Sequence, residues 1–283
     1  MWLQRNLTLK TLNKKNRSYL ASLFVVIISL FPSQSKKLWK KWYDFLATHD
    51  NENDFNFMNY GFCDGTSDTH LSGADKKYHF QIQLYEHVLS DLELSDKCLL
   101  EVGSGRGGGL DYLSRYKDLQ QLSGIDLSSV AIEKCNSVFP SDKISFLNAP
   151  ADDIPFSDQS MDIILNVESS HCYPDMQAFV DETWRLLKPG GYFAICDIRN
   201  SSGIKEMESS FKQCEYSVVH KRDISDNVLQ ALENMSDDRI KISDKVPAIL
   251  KKAFIDFAGV ESSSVYDMLR DKKLQYVSYL LKK

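Results

Sequence analysis

No two of the six cysteines form a Cys-x-x-Cys pair: Cys63, Cys98, Cys135, Cys172, Cys196 and Cys214 are scattered along the chain. That spacing excludes a cysteine-held metal knuckle or a redox pair and reads as reduced intracellular thiols, mostly core filler. No apolar run is long enough to span a bilayer. The most apolar stretch, YLASLFVVIISLF from Tyr19 to Phe31, has 13 residues, where a spanning helix needs about 20. There is no internal repeat and no low-complexity segment, and 43% apolar with 26% charged residues leaves no case for global disorder. Residues 1–43 lack Asp and Glu but hold nine Lys or Arg, so the remainder has 25 basic against 39 acidic residues, a net charge of −14. A body this acidic is a poor partner for nucleic acid, whereas the basic N-terminus suits an anionic surface.

That N-terminus admits three readings. The length of Tyr19–Phe31 suits a signal-peptide core, with SQS after Pro32 as a loose small-residue cleavage site. It also suits a segment lying at a membrane interface with Trp39, Trp42 and the neighbouring lysines at headgroup level, or a buried helix. The expected location is the cytoplasm, with peripheral membrane contact through residues 1–35 left open, as is the oligomeric state.

From about Asp75 short apolar runs alternate with helical patterns. The runs are KCLLEVG, LSGIDLS, ISFLNA, MDIILNV and, after a PGG turn, YFAICDIR. The helices between them are GLDYLSRYKDL, SSVAIEKCNSVF and PDMQAFVDETWRLLK. Such alternation predicts right-handed crossovers and a doubly wound α/β domain with a mostly parallel sheet. Beyond Arg199 the pattern loosens. YSVVHKRDI reads as one more strand, Asp226–Phe257 as mostly helical and exposed, and KLQYVSYLL as a final edge strand.

Ligands of open α/β sheets bind beyond the carboxyl ends of the strands, near the switch in strand order. EVGSGRGGG, Glu101 to Gly109, stands at such an end, and Gly103, Gly105 and Gly108 satisfy G-x-G-x-x-G. Glycines there let the backbone turn tightly and approach a ligand. Asp126 in GIDLS ends the second strand, where a carboxylate takes ribose hydroxyls. These features serve NAD and S-adenosylmethionine equally. Glu101 separates them: a carboxylate two residues before the first glycine opposes a pyrophosphate and suits an ammonium and a sulfonium.

The combination of EVGSGRGGG, GIDLS, the acidic loop ending in IPF, LKPGGYFAICD and a terminal antiparallel-type strand resembles the class I S-adenosylmethionine-dependent methyltransferases. With NFMNYGF, QLYEHV, NVESSHCYP and LRDKKLQYVSYLLKK it is similar, more narrowly, to the phthiotriol/phenolphthiotriol dimycocerosates methyltransferase family, which O-methylates a hydroxyl on a long lipid. The resemblance covers about Lys36 to the C-terminus. It implies a Rossmann-like, seven-stranded, mostly parallel sheet with an antiparallel last strand, an N-terminal lid and a helical cap. The implied division is 1–35 extension, 36–96 lid and helix, 97–224 cofactor-binding core, and 225–283 cap and final strand. It also implies that Glu101, Gly103, Ser104, Gly105 and Gly107 line the methionine part of the cofactor, Asp126 and Leu127 the ribose, and Ala151 and Asp152 the adenine, with Asn166 and Tyr60 beside them. Pro150 departs from the family's usual aspartate, and Ser104 and Arg106 from a common Cys and His.

In NVESSHCYP, His171 is the candidate proton acceptor for a hydroxyl nucleophile, because a histidine near neutral pKa suits that task. The same residue also fits a substrate contact, a helix-capping role, or a structural hydrogen bond to Glu168. Glu168 and His171 lack a third metal ligand, so no metal is expected. Tyr60 fits either cation–π packing on the sulfonium or simple packing with Phe55 and Phe57 under the lid. Tyr85 reads as core, and His87, His49, His70, His79 and His220 as surface. The acceptor reads as a lipophilic small molecule. The rivals are carbon methylation of a sterol- or quinone-like ring, an NAD-linked oxidoreductase, and a cofactor-binding module without turnover. NVES in place of N-P-P-Y disfavours a base methyltransferase.

Overall fold

The computed structural model describes residues 56–65, 71, 73–243, 251–261 and 263–283; the readings made on residues 1–55, Phe55, His49 and the Tyr19–Phe31 segment among them, and on His70, lie outside the described residues. Seven strands form one sheet in the order β3-β2-β1-β4-β5-β7-β6. They are β1 (Cys98–Val102), β2 (Gln121–Asp126), β3 (Ile144–Asn148), β4 (Met161–Val167), β5 (Leu187–Arg199), β6 (Ser217–Asp223) and β7 (Gln275–Lys282). Strands β1 to β5 pair in parallel, and β7 runs antiparallel to both of its neighbours. Strand order reverses between β1 and β4, which opens the crevice where α/β sheets take ligands.

The helices follow the predicted alternation: α1 (His79–Leu89), α2 (Gly108–Tyr116), α3 (Ser129–Val138), α4 (Met176–Leu186), α5 (Ser201–Gln213), α6 (Ser225–Ser243), α7 (Lys251–Phe257) and α8 (Ser264–Arg270). Starts are capped where the sequence supplies a short polar side chain. Ser128 accepts from the Ala131 N–H, Asp175 from Ala178, Asn200 from Gly203 and Ser263 from Tyr266. One apolar cluster covers one face of the sheet with Leu99, Leu165, Leu110, Ile82 and Leu84, and a second fills the other with Leu100, Ile164, Phe179, Phe193 and Phe211. That two-sided burial is why the central strands read as continuous apolar runs.

Three readings change. KLQYVSYLL is not an edge: β7 is inserted between β5 and β6, with Tyr276 to Leu281 buried on both faces. The PGG turn is a bulge inside β5, because Met161 pairs with Leu187 while Ile163 pairs with Tyr192. The cap is not an exposed appendage either, since Val228, Ala231, Leu232 and Met235 of α6 are buried.

The segment 56–63 packs against the carboxyl edge of the sheet. Its Asn56 carbonyl accepts from Gly108 N–H (3.2 Å), Phe62 N–H donates to the Phe80 carbonyl (2.8 Å), and Cys63 exchanges bonds with Asn227 of α6. Cys63 also packs with Ala231 and Met235. Segment 56–63 and α6 are therefore joined to each other.

One glycine ties this packing to the sheet end. A Cβ on Gly109, in the first turn of α2, would stand 2.2 Å from Cζ of Tyr85. Gly109→Ala should cost about 1–3 kcal/mol of stability by overpacking, read as a lowered urea midpoint with an unchanged m-value.

Candidate active site

Register sets the floor of the site. Glu101 of β1 lies opposite Leu165 of β4 and Gly124 of β2, and Asn166 is the next residue of β4, so both reach the carboxyl edge of the sheet. Both are buried, at 1% and 0% exposure. Glu101 Oε1 accepts a 2.7 Å hydrogen bond from the Tyr85 hydroxyl, while its Oε2 has no partner. Asn166 Nδ2 reaches the Val102 carbonyl (2.9 Å), Ser169 Oγ (2.8 Å) and the Tyr173 hydroxyl (3.1 Å), and its Oδ1 is likewise unpartnered. Burial raises the Glu101 pKa to about 7, against the hydrogen bond from Tyr85, with the charge of Asp126 adding to the rise. An unpaired buried acceptor costs roughly 1–3 kcal/mol. Two of them at the same edge of the sheet fit a ligand that brings donors or positive charge.

The turn after β1 needs glycine at its first position. Gly103 sits at φ +77°, and a Cβ there would fall 2.3 Å from Ser169 Oγ and 2.7 Å from the Tyr173 hydroxyl. Gly103 N–H and Ser104 N–H both donate to the Ile125 carbonyl. Gly105 N–H donates to Asp126 Oδ2 (3.0 Å), and Ser128 N–H to Asp126 Oδ1 (2.8 Å), which fixes that carboxylate at the end of β2. Gly107 is pressed on Phe146 and Cys135 rather than on open space. Ser104 is buried with its Oγ unpartnered. Leu127 follows Asp126 half-buried. Ala149 N–H and Asn148 Nδ2 bond to the Asp126 carbonyl (3.2 and 2.8 Å), which draws the loop of Ala151 and exposed Asp152 toward the β2 end.

On the other side of Asn166 stands a cluster that the sequence reading captured only in part. His171 Nδ1 lies 2.7 Å from Asp197 Oδ1; an ionised carboxylate only accepts, so Nδ1 carries the hydrogen. The backbone N–H of His171 donates to Asp197 Oδ2 (2.7 Å), as does the Ser170 hydroxyl (2.5 Å), and Arg199 lies 3.3 Å from the same oxygen. The Asp197 side chain is 0% exposed and that of His171 24%, so the imidazole is reachable and the carboxylate is not. Burial alone would raise the Asp197 pKa, but His171 and Arg199 bring it down to about 2. Burial alone would lower that of His171, but Cys172 and Asp197 raise it well above the usual value.

Glu168 does not bond to His171. Its Oε2 accepts from the Tyr60 backbone N–H (2.7 Å) and the Tyr276 hydroxyl (2.8 Å). Tyr60 is buried with the Arg239 guanidinium 5.6 Å from its ring centroid, so one ring face already carries a cation. Phe57 packs on Tyr78 and Tyr85. His87 is half-buried and stacked on Phe62, and His220 lies 3.0 Å from Asp91, so neither is a plain surface residue. No cluster of three His, Cys, Asp or Glu that could hold a metal occurs among the described residues. Nor, among them, is any helix long and apolar enough to cross a membrane.

Sequence reasoning missed Asp197, Arg199, Tyr276 and Arg239; Tyr85, read as core, is buried in it, but its hydrogen bond to Glu101 was not foreseen. Asp197 had a signal: it is a charge closing the apolar run YFAIC at the carboxyl edge.

Residues 100–195 match the methyltransferase domain family. The chain is 31% identical over 253 residues to the phthiotriol/phenolphthiotriol dimycocerosates methyltransferase of Mycobacterium tuberculosis, covering 89% of this chain and 94% of that protein. It is 33% identical over 229 residues to the fatty-acid O-methyltransferase of Mycolicibacterium smegmatis, covering 81% and 83%. Among solved structures, geranyl diphosphate C-methyltransferase from Streptomyces coelicolor A3(2), in complex with Mg2+, geranyl diphosphate and S-adenosyl-L-homocysteine, superposes with a TM-score of 0.61 at 20% identity over 85% of this chain and 97% of that one. Fold and relatives together define a class I S-adenosylmethionine-dependent methyltransferase. Within that class, the chain belongs to the phthiotriol/phenolphthiotriol dimycocerosates methyltransferase family.

Proposed function

We propose that this enzyme methylates the hydroxyl oxygen of a lipophilic, lipid- or polyketide-like acceptor, with His171 as the proton acceptor. The observation that carries it is the partly exposed His171 imidazole held by the fully buried Asp197, beside the unpartnered oxygens of Glu101 and Asn166. The names of the relatives, a dimycocerosates methyltransferase and a fatty-acid O-methyltransferase, support the acceptor class.

When bound, S-adenosylmethionine supplies a methyl group made electrophilic by its sulfonium. Glu101 Oε2 would hold the ammonium of its methionyl part with Gly103, Ser104, Gly105 and Gly107 alongside, Asp126 and Leu127 the ribose, and Ala151 with Asp152 the adenine. Asn166 and Tyr60 would close on the reacting end. Methyl transfer from a sulfonium is an in-line displacement, so alignment and water exclusion carry most of the rate. The lid and cap would supply that exclusion, in the division 36–96 lid and helix, 97–224 core and 225–283 cap and final strand. The hydroxyl must still lose its proton. With Nδ1 fixed on Asp197, Nε2 is the nitrogen whose lone pair takes it. The net charge of −14 outside residues 1–43 supports a small-molecule partner over nucleic acid. Peripheral membrane contact would belong to residues 1–35.

Because its neighbours raise the His171 pKa, the imidazole accepts a proton only as the pH rises. Turnover should climb toward alkaline pH, and Asp197→Asn should move that limb to lower pH while cutting turnover about 10²-fold or more through loss of the fixed tautomer. A pH–rate profile of both proteins checks this. The ion pair's stabilisation has its own window: it is complete between the ordinary carboxylate pKa of about 3.8 and the ordinary histidine pKa of about 6.5, lost as pH rises through the raised His171 value and lost as pH falls through the Asp197 value of about 2.

The acceptor class is tested with methyl-labelled cofactor and a panel of long-chain alcohols, phenols, fatty acids and polar catechols. Label entering the organic phase from the long-chain acceptors supports it; transfer confined to the polar ones would overturn it.

A further inference from the structure

Glu168 leaves β4 with a left-handed backbone, φ +49°, its N–H on the Cys196 carbonyl of β5 at 2.9 Å. An L residue rarely adopts that conformation, and here it serves to turn the side chain back across the sheet edge rather than on along the strand. The carboxylate then meets two groups 108 residues away in either direction, the Tyr60 N–H of the lid and the Tyr276 hydroxyl of β7. The lid is held from its other side by Arg239 of α6, which donates to the Asn59 carbonyl (3.0 Å) and to the Ala258 carbonyl. Its guanidinium lies over the Tyr60 ring, 5.6 Å from the centroid. Residues 59 and 60 are thus fixed between an anion rising from the sheet and a cation descending from the cap.

We propose that Glu168 is a positioning residue: one buried carboxylate clasps the lid at Tyr60 onto the carboxyl edge of β4, and the grip on the cofactor depends on that clasp. The inference rests on the active-site reading above. Burial raises the Glu168 pKa to about 7, so the clasp tightens as the carboxyl ionises above that pH, a backbone N–H being held more tightly by a carboxylate than by a neutral carbonyl. Geometry makes it local, because the backbone N–H of Tyr60 donates to this side chain, at 2.7 Å.

The test uses the full chain with S-adenosylhomocysteine and no acceptor, so it stands even if the acceptor class is wrong. Amide exchange over residues 56–63 and the dissociation rate of S-adenosylhomocysteine are compared in wild type, Glu168→Ala, Glu168→Gln and Tyr276→Phe. Glu168→Ala should speed both by about tenfold or more, the loss of one charge-assisted hydrogen bond. In Glu168→Gln the amide oxygen can still accept both bonds but without the charge, so both readouts should fall between those of wild type and Glu168→Ala. Tyr276→Phe removes one bond without touching the lid and should change both by a few-fold, a readout that survives if the alanine variant fails to fold. Wild-type lid exchange in Glu168→Ala and Tyr276→Phe would overturn the proposal. So would faster lid exchange in Glu168→Ala with an unchanged dissociation rate of S-adenosylhomocysteine, because the grip on the cofactor would then not depend on the clasp.

Discussion

Replacing His171 with alanine should cut turnover by about 10²-fold or more while leaving the affinity for S-adenosylhomocysteine within about threefold. The asymmetry follows from position. His171 is held by Asp197 of β5, beyond Asn166 and away from the Glu101 and Asp126 carboxylates that would grip the cofactor. Single-turnover kinetics at saturating cofactor, with the dissociation constant measured by titration calorimetry, separates the two effects. A full-rate variant would falsify the base assignment and leave Asp197 a structural partner.

The second large effect belongs to Glu101. Glu101→Gln keeps volume and the Tyr85 contact but removes the charge, and should weaken S-adenosylhomocysteine binding by about 10- to 100-fold, the value of a charge-assisted bond of roughly 1.5–3 kcal/mol. In the wild type the same carboxylate gives affinity a pH dependence. Burial raises its pKa to about 7, so below that pH it is protonated and a poor partner for an ammonium. Affinity should therefore rise from pH 6 to pH 8 in the wild type and stay flat in the glutamine variant. The stability of the ligand-free protein runs oppositely: a carboxyl whose pKa is raised on folding contributes below its ordinary value of about 4.5, and that contribution is lost as the pH rises through about 7.

Parts of this were legible in the sequence because the signals are local. Glu101, Gly103 and Asp126 each close a short apolar run, and a run buried on both faces shows itself without knowledge of its neighbours. The spacing of Asn166 and His171 in NVESSHCYP is equally local. Asp197 was within reach by the same logic, as a carboxylate ending β5. Helix α5 was not foreseen, since its buried Ile204, Met207 and Phe211 are diluted by serines and lysines. The place of β7 depends on which strand it pairs with, and strand pairing leaves no mark on the strand's own alternation. The clasp was out of reach for a related reason: Glu168 meets Tyr276 and Tyr60 across 108 residues each, and Arg239 meets Asn59 across 180. No window of neighbouring residues carries contacts of that separation.

The atom that receives the methyl group decides the central proposal. The enzyme should be incubated with cofactor carrying a carbon-13 methyl and with the acceptor that gives the fastest label transfer, and the product's methyl carbon should be observed by nuclear magnetic resonance. A resonance in the methoxy range, coupled across oxygen to the acceptor, is the predicted result. A resonance in the aliphatic range, with the new methyl bonded directly to carbon, would contradict it and reassign His171 and Asp197 to carbon methylation.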